Sequence, residues 1–188
     1  MKKKIVLFSF ICLILFAQLF TLTGCDLLSS NKGKKFQIEG KEVELNKELK
    51  LSAVTFLTSN AFEYINTGNR EFLYNLNDDN GKKLYNISIS YKLLLFGNTK
   101  LLEEDIDSEK NMKDAKDIST EEMKIGKKNW VKISYKKYDE EYGKEIVYHM
   151  YYVVHTHISD TDYYKIVFKN ADKAQDFEDT FIKSVKFK

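Results

Sequence analysis

The chain has 188 residues, 31% of them charged and 14% aromatic, with no proline and two cysteines. Its formal charge is only +2, and Arg70 is the sole arginine. Arginine is the preferred fork for phosphates and base edges, so this balance excludes a dedicated nucleic-acid binder. The lysine and asparagine excess without proline suits an AT-rich genome, such as that of a low-GC Gram-positive bacterium.

Lys2, Lys3 and Lys4 precede a run from Ile5 to Leu22 that only Ser9, Gln18 and Thr21 interrupt. A basic start followed by an apolar run is the layout of a secretory signal. The run ends in Leu22-Thr23-Gly24-Cys25. This resembles the lipobox of bacterial lipoproteins. The resemblance implies cleavage after Gly24 and a diacylglycerol thioether on Cys25, and hence a lipid anchor on the extracytoplasmic face of the cell membrane. Two acyl chains supply the two signals that stable anchoring needs. Without that processing the same run, close to the roughly 18 residues of a minimal span, is a single-pass anchor.

The other cysteine, Cys12, lies inside the signal. The mature chain then has no thiol for a disulfide, and a hydrophobic core alone must hold it. Three lysines leave with residues 1–24 and no acid does, so 27 of the 30 basic groups remain against 28 acids. What is left is near-neutral and long enough for one domain.

Residues 25–35 form the lipidated cysteine and a short polar tether, and 36–188 form a single domain. Phe36–Gly40 and Val43–Leu45 predict an opening hairpin. Leu49–Leu57 and Phe62–Ile65 have strand character. Glu71–Leu76 and Lys83–Leu94 flank Asn77-Asp-Asp-Asn-Gly81, whose Asn-Gly pair tolerates the positive φ of a hairpin turn. That turn does not meet the spacing of a calcium loop, because Asn80 and Asn86 stand where glycine and glutamate are required. Ile87, Ile89 and Tyr91 alternate with Asn86, Ser88 and Ser90, the period of a strand with one buried face.

Leu101–Asp117 is charged and predicts a loop with a surface helix. Its acids, Glu103, Glu104, Asp105 and Asp107, lack the apolar surroundings that split the pKa values of a catalytic pair. No nucleophile elbow of the Gly-x-Ser-x-Gly type occurs. Glu122–Ile125 and Trp130–Tyr138 predict a further hairpin, and Glu145–Thr156 and Tyr163–Phe168 two long strands. At the end, Asp172-Lys-Ala-Gln175 fits a capping box. Ala174, Phe177, Phe181 and Val185 make one apolar helical stripe, and Val185–Lys188 an edge strand.

The expected class is α+β, a predominantly antiparallel sheet with helices packed on its faces. The order KIGKKNW, IVYHMYYVV, YYKIVF, then FEDTFIKS into VKFK resembles the PsbP-like superfamily, over about residues 48 to 188. That resemblance implies an α/β/α sandwich and a binding or assembly role without catalysis. It carries no shared catalytic residues.

All three histidines lie in His149-Met-Tyr-Tyr-Val-Val-His-Thr-His157. Strand parity puts His149, Tyr151, Val153, His155 and His157 on one face, and Tyr148, Met150, Tyr152, Val154 and Thr156 on the other. At about 3.3 Å per residue, His149 is about 20 Å from His155, too far to share an ion, whereas His155 and His157 are about 7 Å apart. With Asp160 and Asp162 they are candidate ligands for zinc or another transition metal. The plainer reading is a half-exposed strand end, with no metal and no cofactor. Tyr148, Tyr151, Tyr152, Tyr163 and Tyr164 concentrate on two strands. They are either a binding face, since tyrosine supplies rigid amphipathic contact area, or core packing.

The function expected is therefore a lipid-anchored cell-envelope protein, not an enzyme. Its partners would be the membrane, through the N-terminal lipid, and an envelope protein. The alternative is a metal-dependent hydrolase or metal-binding protein centred on His155 and His157.

Overall fold

A long central strand, β10 (Lys144–Thr156), sits between β9 (Lys128–Asp139) and β11 (Thr161–Lys169), and around these three the domain is organised. The computed structural model describes residues 30–68, 70–94, 99–156 and 161–188. In chain order the other elements are β1 (Lys35–Ile38), β2 (Lys41–Glu44), β3 (Lys47–Leu51), β4 (Val54–Thr58), β5 (Glu63–Asn66), β6 (Glu71–Asn77) and β7 (Lys83–Leu94). Helix α1 (Lys100–Lys110) and β8 (Lys116–Ile125) precede β9, and helix α2 (Gln175–Ser184) and β12 (Lys186–Phe187) follow β11. The fold is α+β, as the sequence predicts.

Among the described residues, seven strands form one sheet in the order β5-β6-β7-β11-β10-β9-β8, and β12-β4-β3 and β1-β2 form two smaller sheets. Every pairing is antiparallel. Strand β7 lies inside the sheet and β8 at its far edge, so the chain must cross a face between them, and α1 makes that crossing. Leu102 and Ile106 of α1 pack on a core of Ile133, Tyr148, Met150, Tyr152 and Tyr163. The opposite face carries the larger core, where Tyr85, Ile87, Tyr151, Tyr164 and Phe168 meet Phe177, Phe181 and Ile182 of α2. Each side chain so buried contributes about 1.5–3 kcal/mol. The parity read from β10 holds: Tyr151 and Val153 belong to the α2 side, Tyr148, Met150 and Tyr152 to the α1 side.

Three local expectations are corrected. The apolar run at 49–57 is two strands, because Ser52 takes a left-handed φ of 51° and reverses the chain into β4. The helix expected within 101–117 ends at Lys110, and β8 starts at Lys116, six residues before the predicted strand. The capping box does not form. A 3-10 turn, Ala171–Lys173, precedes the helix, Ala174 is its N-cap without a side-chain bond, and Gln175 bonds Asp179. Asn170, at φ 63°, redirects the chain from β11 into that turn while its amide donates to the Leu84 carbonyl.

Candidate functional site

On the α2 side of the sheet, Lys132 of β9 and His149 and Tyr151 of β10 converge on one acid. Glu178, fully buried on α2, accepts from Tyr151 Oη at 2.5 Å, from His149 Nδ1 at 2.7 Å and from Lys132 Nζ at 3.3 Å. Burial, reinforced by the Glu178 charge, raises the Tyr151 hydroxyl far above its ordinary range, so it stays a donor. A buried carboxylate is tolerated only when paired and hydrogen-bonded, and here three donors from two strands satisfy it. Because Glu178 has no exposed surface, this cluster fixes the position of α2 on the sheet and does not meet a substrate. The sequence carried its signal unread: position 178 lies four after Ala174 and three before Phe181, inside the apolar stripe.

A few residues farther along the same face, where β12 closes over β9 and β10, a cavity of about 620 Å³ opens at the end of α2. Its apolar wall is Trp130, Ile125, Val185 and Phe187, with His155 stacked on Phe187 at 4.9 Å between ring centroids. Lys124, Lys127 and Lys128 approach it from the β8–β9 hairpin, and Lys183 and Lys186 from the chain end. Lys128 stands 5.5 Å over the Phe187 ring, a cation–π contact. The indole N–H of Trp130 is buried at this wall and finds no acceptor among the described residues.

On the opposite face, carboxylates cap tyrosines. Tyr148 Oη donates to Asp139 at 2.5 Å, and Tyr163 Oη donates to Asp105 of α1. Lys169 and Lys92 pair with the same two acids. Against the burial that would raise them, these hydroxyl and ammonium donors hold both carboxyls below the usual range. Burial and Asp105 together push the Tyr163 hydroxyl up to about 12. Asp105 is thus part of a packed polar rim, where its sequence context suggested a solvated segment.

Of the metal candidates, His155 and Asp162 are buried cross-strand partners in the β10–β11 register. His157 and Asp160 lie outside the described residues, as does Cys25. Among the described residues no three metal-ligating side chains cluster. Tyr148, Tyr151, Tyr152, Tyr163 and Tyr164 are all buried, the last four at 2% exposure or less. Their rings fill the two cores instead of facing solvent, because helices or small sheets cover both faces of the strands that carry them. The exposed tyrosines are Tyr64 and Tyr138.

No protein-family model and no curated protein matches the sequence. Among solved structures, a protein of Bacteroides thetaiotaomicron aligns over 84% of this chain at 16% identity and a TM-score of 0.46. The chain spans about half of that protein, 49% of its length. LpqN of Mycobacterium tuberculosis, a protein involved in cell envelope biogenesis, aligns over 84% of this chain and 91% of its own, at 12% identity and a TM-score of 0.51. At that identity the likeness is one of fold. No helix among the described residues is long and apolar enough to cross a membrane.

Proposed function

We propose that the chain is a lipid-anchored protein of the cell envelope, whose α+β domain binds an envelope partner without catalysing a reaction. The observation that carries this reading is Leu22-Thr23-Gly24-Cys25, placed directly behind three lysines and an apolar run. Acyl chains on Cys25 hold the domain at the outer face of the membrane, and the segment between Cys25 and β1 gives it reach. The fold likeness to LpqN supports an envelope setting. The layer order, α1 on one face of the sheet and α2 on the other, supports the PsbP-like α/β/α reading. A binding role is supported by the site chemistry: Glu178, the buried acid under α2, is satisfied by three donors and closed to solvent, while the open cavity beside it is lined for recognition.

Cys25→Ser tests the anchor. Expressed in a lipoprotein-processing host with radiolabelled palmitate, wild type incorporates label and fractionates with membranes, and the variant loses label and remains unprocessed. A variant that is still shortened and retained in the membrane overturns the lipid-anchor reading.

A further inference from the structure

The cavity at the end of α2 combines two properties that select a ligand class. Its rim carries five lysines, Lys124, Lys127, Lys128, Lys183 and Lys186, and none of its described lining residues is acidic. Acids lie close by: Glu121 and Asp179 line the neighbouring depression, which shares Lys124 and Lys183 with this cavity, and Asp162 is the cross-strand partner of His155. The carbonyl end of α2 favours a cation in its last turn, which accounts for Lys183; Lys186 follows in β12. The helix end does not account for three more lysines arriving from the β8–β9 hairpin. Converging ammonium groups repel one another, and a bound anion relieves that repulsion.

The floor adds the second property. Trp130, Phe187 and the stacked His155 ring present an apolar aromatic surface beneath the lysines. A cavity of about 620 Å³ falls within the range of small-molecule sites, about 300–1,000 Å³, and is too small for a folded partner. A bare inorganic anion leaves the aromatic floor unused. A neutral lipid leaves the lysines unused.

We propose that this cavity binds an anionic amphiphile, its phosphate or carboxylate head among the lysines and its hydrocarbon or ring on the Trp130–Phe187 floor. The inference rests on the binding role proposed above and names its ligand class, but it does not depend on the lipid at Cys25. Lysine suits such a head as a compact point charge.

Trp130 is the only tryptophan of the chain, so its fluorescence reports occupancy directly. The full chain, held in phosphatidylcholine nanodiscs, is titrated with three probes: hexyl phosphate, hexylphosphocholine with the same tail and a net-neutral head, and inorganic phosphate without a tail. Hexyl phosphate should shift the Trp130 emission saturably, should weaken as salt is raised, and should bind better than either control. The exposed pair Lys127→Ala/Lys183→Ala should weaken it roughly tenfold or more, the loss expected for two charge-assisted contacts. Lys110→Ala, on α1 away from the cavity, should bind as wild type does. Equal binding of hexylphosphocholine removes the role of charge, and equal binding of inorganic phosphate reduces the cavity to a simple anion site. Either result overturns the proposal, as does the absence of a saturable shift or an unaffected lysine double variant. Any of these failures leaves the Cys25→Ser result standing, so loss of the ligand class and loss of the anchor are told apart.

Discussion

The two faces of the seven-stranded sheet use the same aromatic strands in different ways. On the α2 face, the helix contributes five buried residues, and aromatic rings from β4, β7, β9, β10, β11 and α2 pack mostly edge to face or tilted. On the α1 face, the helix has no fully buried residue and is tied down by ion pairs from its acids, Asp105 to Lys92 and Glu109 to Lys165. One face is a thick aromatic core with the Glu178 cluster inside it. The other is a thinner core with polar groups around its rim. Position on the sheet, not residue type, decides whether a tyrosine hydroxyl ends against a buried glutamate or at a half-open aspartate.

This contrast sets the order of the expected effects. Phe181→Ala, at 0% exposure beneath α2, should cost about 3–5 kcal/mol in chemical denaturation. Loss below about 1 kcal/mol would mean that α2 is loosely docked. Glu178→Gln keeps the shape but removes the charge that satisfies Lys132, and should cost about 2–3 kcal/mol. No loss would reduce the cluster to a bystander.

On the thinner face, Asp139→Asn weakens the bonds from Tyr148 and Lys169 and should cost about 1–3 kcal/mol. The same substitution changes the pH response. Because the folded-state pKa values of Asp139 and Asp105 are depressed, their contribution is present above the ordinary carboxylate value near about 4 and is lost as pH falls through the folded values. Wild type should therefore lose stability on acidification below about pH 4, and Asp139→Asn should lose less over that window. A parallel acid limb in the two proteins would contradict the role given to Asp139. Leu101→Gln, exposed on α1, should change stability by no more than about 0.5 kcal/mol.

The features legible in the sequence are those with a period. The alternation of Ile87 and Ile89 with Ser88 and Ser90 places β7, Asn80-Gly81 places its turn, and Ala174, Phe177 and Phe181 place α2. Strand β8 was read short because it is an edge strand, exposed at most positions, so no buried face marks its start; a register shift between Lys116 and Ser119 adds to the irregularity. Ser52 gave no sign of its left-handed turn, since that conformation is ordinarily left to glycine or asparagine. The Glu178 cluster was missed because its donors come from two strands more than twenty residues upstream, a juxtaposition no local pattern encodes. The basic cavity was invisible for the same reason: its lysines lie in two separate stretches that meet only when β12 pairs with β4.

The most direct measurement of the central proposal is mass spectrometry of the N-terminal peptide of the protein recovered from membranes of a lipoprotein-processing host. The expected peptide begins at Cys25 and carries the mass of a diacylglycerol thioether. A membrane-bound chain that still begins at Met1, with Cys25 as a free thiol, contradicts the lipid anchor.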